Sequence, residues 1–172
     1  MPASLPIPAP ADAPALAYIG IGANLGNALA TVELAFAALA ALPTTRMVAR
    51  SAMFCTAPVD ADGDDYINAV ACIETRLTPV ALLDALLAIE QHQGRTRSYR
   101  NAPRRLDLDI LLFGNLQLHT AALTIPHPRL TQRAFALIPL LQIAPVVDIP
   151  GMGPAQAFVH TVAGQSIRRI AV

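Results

Sequence analysis

Asp107 and Asp109 stand one residue apart, just downstream of five arginines (Arg95, Arg97, Arg100, Arg104 and Arg105), at the entry to an apolar run that ends at Phe113. Leu106 to Phe113 reads as a strand: short, apolar, and closed by the turn dipeptide Gly114-Asn115. Strand side chains alternate faces, so Asp107 and Asp109 share one face while Leu106, Leu108 and Ile110 take the other. Carboxylates held side by side repel each other unless a cation lies between them. Mg2+ takes oxygen ligands of this kind and is often completed by substrate phosphates. Guanidinium groups suit the same phosphates, because they bind them bidentately. The chemistry implied is magnesium-dependent phosphoryl transfer. An Asp-x-Asp pair alone is more often two solvated acids, and an arginine-rich loop is more often solvated surface. Their adjacency at a loop-to-strand entry favours a site.

The flanking sequence must position that pair. Ala15 to Ala23 reads as a strand leading into the turn Asn24-Leu25-Gly26-Asn27, with Asn27 placed to cap a helix from Ala28 to Leu42. Val32, Phe36 and Leu39 recur at helical spacing, and Pro43 ends the helix. The glycines Gly20, Gly22 and Gly26 do not have the dinucleotide-binding spacing, so a backbone-turn role is expected of them. Met47 to Cys55 reads as a strand, Asp60 to Asp65 as a solvated acidic loop, and Tyr66 to Arg76 as a loosely alternating strand. Thr78-Pro79 opens a second helix, with Leu83, Leu86 and Leu87 as its buried stripe and Gly94 as its stop. Glu90 falls on that stripe one turn on, where it either faces a polar pocket or, by default, reaches water. Beyond the aspartates come a polar turn, a short strand at Leu123 to Ile125, and a helix from Gln132 to Ile143 interrupted by Pro139. His127, held between two prolines near arginines, is a candidate for function, although a lone histidine is more often structural. The order strand, helix, strand, strand, helix, strand predicts an α+β, ferredoxin-like fold: an antiparallel sheet with helices packed against one face. Residues 15–172 form one domain, after an Ala/Pro-rich tail over residues 1–14 that is too biased to pack and is expected to be disordered.

With 172 residues, 54% hydrophobic and 14% charged, the chain can bury a core. Twelve basic against 12 acidic residues leave no global excess to recruit nucleic acid or an anionic membrane, so neither partner is expected. Apolar stretches broken by Glu33, Pro139, Gln142 and Pro145 are too short to span a bilayer, and the N-terminus lacks a basic leader. Cys55 and Cys72 fit no zinc spacing and are expected to be reduced thiols of a cytoplasmic protein. A monomer is expected.

Five stretches together resemble the 6-hydroxymethyl-7,8-dihydropterin pyrophosphokinase family. They are Tyr18-Ile-Gly-Ile-Gly-Ala-Asn-Leu-Gly26; Tyr66-Ile-Asn-Ala-Val70; Ile89-Glu90 with Gly94-Arg95-x-Arg97; Arg104-x-Leu-Asp-Leu-Asp-Ile-Leu-Leu-Phe-Gly114; and Ile125-Pro-His-Pro-Arg129 through Phe135. The resemblance implies transfer of the β,γ-diphosphoryl group of ATP to the hydroxyl of 6-hydroxymethyl-7,8-dihydropterin, in folate biosynthesis. It implies that Asp107 and Asp109 hold two Mg2+ ions bound with ATP, and that Arg95 and Arg104 act on the phosphates as catalytic residues from a mobile loop. It also implies nucleotide contacts from Glu90, Arg97, Ile110, Thr124, His127 and Arg133. The pterin pocket would be built from Thr56, Ala57, Pro58, Val59, Tyr66 and Asn68, with Phe135 stacking on the ring. Departures include Asn101 where the family often has tryptophan, Ala57 for a proline, and Ala122 and Leu87 at positions that face the nucleotide in other members. A polymerase-like palm would also pair two acids on such a sheet, but it needs a basic path that the balanced charge does not supply. A non-catalytic regulatory module would tolerate the loss of both carboxylates.

Overall fold

The structure, a computed structural model, describes residues 13–58, 63–93 and 106–171. The sequence positions Val59, Arg95, Arg97 and Arg104 singled out above lie outside these residues. In chain order the elements are β1 (Ala15–Ala23), α1 (Ala28–Ala40), β2 (Thr45–Arg50), β3 (Phe54–Thr56), β4 (Tyr66–Thr75), α2 (Pro79–His92), β5 (Asp107–Phe113), β6 (Leu118–His119) and β7 (Thr124–Ile125). There follow a 3-10 turn (Leu130–Gln132), α3 (Ala134–Ile143), β8 (Asp148–Ile149), β9 (Gly153–Pro154), a 3-10 helix (Ala155–Val162) and β10 (Arg168–Arg169).

The main sheet runs β10-β3-β4-β1-β5, with β2 also paired to β4, and all its pairs are antiparallel. This is the ferredoxin-like order, with β1 and β4 central. Alternation gives the sheet two working faces. On one, Ile19 and Ile21 of β1, Ala71 and Ile73 of β4, and Leu108 and Ile110 of β5 meet Val32, Phe36 and Leu39 of α1 and Leu82 and Leu86 of α2. The two helices of the predicted alternation therefore lie on one face, as expected. On the other face α3 packs Leu137 and Leu140 against Val70, Leu111 and Leu112, a covering that the first six elements did not imply. Leu111 and Leu112 can both take this face because a bulge shifts the register of β5 against β1 between Tyr18 and Ile19.

Helix starts follow the capping chemistry: Asn27 Oδ1 accepts from Ala30 N–H at 3.1 Å, and Thr78 Oγ1 accepts from Ala81 N–H at 3.2 Å. Three boundaries differ from expectation. The strand expected over Met47 to Cys55 is split in two at Ser51, whose N–H still donates to Val70 O at 2.8 Å but whose hydroxyl, in place of a carbonyl, accepts from Val70 N–H at 2.8 Å. Ala52 N–H donates instead to Gln142 Oε1 at 2.7 Å, and β3 resumes on the far half of β4. The helix expected from Gln132 begins at Ala134 and runs through Pro139 without interruption. Proline forfeits a single ladder bond there, and the buried packing of Leu137 and Leu140 outweighs it. The polar turn after β5 contains β6, which pairs with β7. Among the described residues no helix is long and apolar enough to cross a membrane.

Tyr18, on the α3 face, has its phenol pushed up to about 12 by burial, then by the neighbouring Cys72 and the hydrogen bond to it. The Cys72 thiol is also raised, chiefly by burial. The unfolded phenol ionises near its ordinary value of 10.0 while the folded one keeps its proton, so the unfolded state binds fewer protons between those values. Stability must then fall as pH rises from about 10 to about 12. Urea unfolding at stepped pH is expected to show that decline, and to show it shallower in Tyr18→Phe.

Candidate active site

β5 is an edge strand of the main sheet. It carries Asp107 half-buried and Asp109 exposed on the α3 face, with Leu108 and Ile110 turned into the helix-side core. An edge strand leaves backbone groups without a ladder partner. At Leu108, between the two aspartates, the N–H donates to Glu90 Oε1 at 2.9 Å. Glu90 is only 4% exposed, so the default reading of it as a side chain reaching water is corrected. The last turn of α2 brings its carboxylate beneath β5, where it holds the strand that bears the aspartates. Sequence periodicity could place Glu90 on the buried stripe but could not name its partner.

The glycines of β1 also differ from expectation. Gly26 does sit in a turn, with φ +63°. Gly20 and Gly22 are instead mid-strand, opposite Asp109 and Asp107 respectively. Partners in an antiparallel pair share a face, so the position beside each carboxylate has no side chain. On its other side Gly22 is opposite Asn68 of β4. A methyl group at Gly22 would stand 3.2 Å from Asn68 Oδ1. The row Asp107, Gly22, Asn68 is thus a bare floor with a carboxylate at one end and a carboxamide at the other.

This floor belongs to a cleft of about 690 Å³ on the part of the face that α3 leaves uncovered. One wall is formed by Thr56, Ala57 and Pro58 at the end of β3, with Tyr66 and Asn68 of β4; the opposite wall is Phe135 of α3. Asn68, 3% exposed, donates through Nδ2 to Thr56 Oγ1 at 2.8 Å. That bond orients the amide and leaves Oδ1 and one N–H for a ligand. At the carboxylate end stand His127, Arg129 and Arg133. The Arg133 guanidinium lies 5.4 Å from the Phe135 ring centroid, so one side chain joins the charged and aromatic halves. His127 N–H donates to Leu111 O at 2.9 Å, tying its loop to β5. Its Nδ1 accepts from Arg129 N–H at 3.1 Å, which leaves Nε2–H as its donor. Burial lowers the His127 pKa; Arg133 and Arg129 lower it further, and only Asp109 opposes them. At neutral pH it is an uncharged donor beside two permanent cations.

Of the residues predicted from sequence, the cleft brings together Thr56, Ala57, Pro58, Tyr66, Asn68, Asp107, Asp109, His127, Arg133 and Phe135. Three others lie off its lining. Glu90 is beneath β5; the side chain of Ile110 is in the helix-side core, leaving only backbone for any ligand; and Thr124 lies on β7, with Oγ1 3.4 Å from His119 Nδ1. Arg129, Gln132 and Gln165 also line the cleft and were not anticipated. Arg129 was within the recognised Pro-His-Pro-Arg segment and could have been named from it. No sequence signal marked Gln165.

The cleft of this antiparallel α+β sheet, with two carboxylates and fixed cations among its lining, is a site for a charged ligand. Comparison with known proteins narrows the class. Residues 18–145 match the model of the family described as 7,8-dihydro-6-hydroxymethylpterin-pyrophosphokinase (HPPK). The 2-amino-4-hydroxy-6-hydroxymethyldihydropteridine pyrophosphokinase of Pseudomonas aeruginosa is 44% identical over 77% of this chain and 83% of its own. The Haemophilus influenzae protein of the same name is 43% identical over 78% of this chain and 84% of its own. The crystal structure of wild-type Plasmodium falciparum HPPK-DHPS shares the fold with a TM-score of 0.72 at 14% identity, over 92% of this chain; the chain spans 45% of that longer one. The chain belongs to the 7,8-dihydro-6-hydroxymethylpterin-pyrophosphokinase family.

Two substitutions test the geometry. Glu90→Ala strands the buried Leu108 N–H and is expected to lower unfolding free energy by about 1–3 kcal/mol in urea titrations, whereas Glu90→Gln keeps the acceptor and most of the stability. Gly22→Ala pushes against an Asn68 amide already bonded to Thr56. It is expected to weaken pterin binding, measured by ligand fluorescence, with the melting temperature little changed.

Proposed function

We propose that the cleft binds the dihydropterin between Phe135 and the β3–β4 wall, and binds ATP across the β5 end, where Asp107 and Asp109 hold two Mg2+ ions. The chain is a pyrophosphokinase, transferring the pyrophosphoryl group of ATP to 6-hydroxymethyl-7,8-dihydropterin in folate biosynthesis. What carries the residue assignment is the row Asp107, Gly22, Asn68 on three adjacent strands. Two strand spacings, about 10 Å, separate a ring-edge amide from a phosphate-side carboxylate with no side chain between them. A pterin hydrogen-bonded at Asn68 can therefore extend its hydroxymethyl group over the glycine towards the phosphates.

The donor set fits a hard cation: two carboxylates at one end of the cleft, with no group of three His, Cys, Asp or Glu gathered among the described residues. A divalent ion here would need oxygen from phosphate and water to complete its shell, as Mg2+ ordinarily does. Bound there, Mg2+ supplies charge neutralisation of the transferring phosphates. The remaining work belongs to side chains. Asn68 and Thr56 read the ring edge, and Phe135 with Tyr66 holds its faces. Ala57 and Pro58 bound the pocket, and Val59, outside the described residues, would continue that boundary. His127 donates a hydrogen bond and Arg133 a charge to the phosphates, while Ile110 offers only its backbone, Thr124 reaches in from β7, and Glu90 acts through the Leu108 N–H that it holds. Arg95, Arg97 and Arg104, which lie outside the described residues, would add their charges to the phosphates. The hydroxymethyl oxygen bonds to the β-phosphorus as the bridge to the α-phosphate breaks. AMP leaves, and the alcohol proton passes to solvent. Positioning and electrostatics supply the acceleration. A monomer working in the cytoplasm is part of this reading; the free thiols Cys55 and Cys72 suit a reducing compartment and say nothing of oligomeric state.

Purified protein given ATP, Mg2+ and the hydroxymethyl-dihydropterin is expected to form AMP only when the pterin is present. Asp107→Asn and Asp109→Asn are each expected to lower that rate by at least about 100-fold. Unaltered rates in both variants would sink the metal assignment while leaving the family reaction. Pyrophosphate in place of AMP would move the site to nucleotidyl transfer.

A further inference from the structure

The family match ends at residue 145, yet the chain beyond it touches both walls of the cleft. Ile170 N–H donates to Met53 O at 2.9 Å, and β10 pairs Arg168 and Arg169 with Cys55 and Phe54 of β3, the strand that leads to Thr56. On the other side, the Thr161 hydroxyl lies 2.6 Å from Thr131 O and 2.7 Å from Phe158 O and shares its one proton between them. Gln165 Nε2 donates to Gln132 O at 2.7 Å, and its Oε1 accepts from Ala134 N–H at 2.8 Å.

The last two bonds bracket Arg133. An extended residue leaves the carbonyl before it and the N–H after it facing one way, and Arg133 is extended, with φ −124° and ψ 112°. The Gln165 carboxamide, which has one donor and one acceptor in a plane, fills that gap as a neighbouring strand would. Arg133 precedes α3 but cannot cap it, because guanidinium has no acceptor. The first N–H of the helix is therefore capped by Gln165, 31 residues further along the chain.

We propose that Gln165 is a positioning residue for the nucleotide-phosphate side of the cleft: its amide fixes the backbone of Arg133 and so aims the guanidinium. Glutamine alone has the right reach and polarity. Asparagine is one methylene too short, and glutamate would set a carboxylate oxygen against the carbonyl of Gln132. This proposal rests on the reading that Arg133 meets ATP phosphates, and the test separates the two.

The experiment is equilibrium binding of a non-hydrolysable Mg-ATP analogue to wild type, Gln165→Ala, Arg133→Ala and the double variant, with melting temperatures for each. Gln165→Ala is expected to weaken nucleotide binding about fivefold to tenfold. In the Arg133→Ala background the same change is expected to have little further effect, because the group it aims is gone. A general loosening of the fold would weaken both backgrounds alike, and that outcome overturns the proposal. Arg133→Ala weakening binding while Gln165→Ala leaves it unchanged also overturns it. An Arg133→Ala variant that binds normally overturns the phosphate reading of Arg133 and the proposal with it. If Gln165→Ala folds poorly, Gln165→Glu keeps the acceptor for Ala134, loses the donor to Gln132, and is expected to show the same dependence on Arg133.

Discussion

The structure depends on keeping two like charges on one face of an edge strand. Asp107 and Asp109 repel each other and any phosphate that approaches, and β5 has a ladder partner on one side only. Left to itself such a strand would fray, and with it the spacing of its acids. Three features hold it. Glu90 takes up the N–H of Leu108, midway between the aspartates. Leu108 and Ile110 are locked into the helix-side core. The loop carrying His127 bonds to Leu111 O. The open edge is covered by side chains and loop rather than by another strand, so the carboxylates stay accessible while their backbone is fixed.

The two faces of the sheet divide the labour. The α1–α2 face is a continuous apolar layer and supplies stability. The α3 face is covered only over Val70, Leu111 and Leu112, and the remainder is floored by glycine. An ordinary strand residue at Gly20 or Gly22 would suit the sheet's propensity better, but at Gly22 it would press on Asn68 Oδ1 and at Gly20 on the Leu111 side chain. The chain accepts a weaker central strand there to leave those side chains room. The 155–170 segment bonds both to β3 and to the residues that precede α3, two parts of the chain that line the cleft.

What was legible in the sequence was whatever local periodicity encodes. Alternation placed Asp107 and Asp109 on one face, capping residues marked the starts of α1 and α2, and the order of elements gave the ferredoxin-like sheet. What was not legible depended on partners distant in sequence. Glu90 fell on the buried stripe, but whether water or a strand edge met it depended on a β5 backbone 18 residues on. Ser51 broke a strand because its hydroxyl could stand in for a carbonyl opposite Val70, which no propensity scale records. Gly20 and Gly22 resembled turn residues because glycine usually serves turns; their mid-strand role appears only once Asp109, Asp107 and Asn68 are known to flank them. Gln165 lies in a Pro/Gly-rich terminus, where neither periodicity nor motif distinguishes a clamp from a loop.

The charges at the β5 end constrain what the cleft can hold. Arg129 and Arg133 favour an anion, while the carboxylates that line the same cleft disfavour it. Neither a bare triphosphate nor a bare metal ion satisfies both sets. An anion that arrives with its own divalent cations would satisfy both, the cations offsetting the aspartates and the anion the arginines. His127 adds no third fixed cation to this balance. Its lowered pKa follows from the burial and the two arginines that build the rest of the site. On the proposed reading the arrangement would favour the metal complex over either component, with Gly22 as the uncovered step between Asp107 and Asn68.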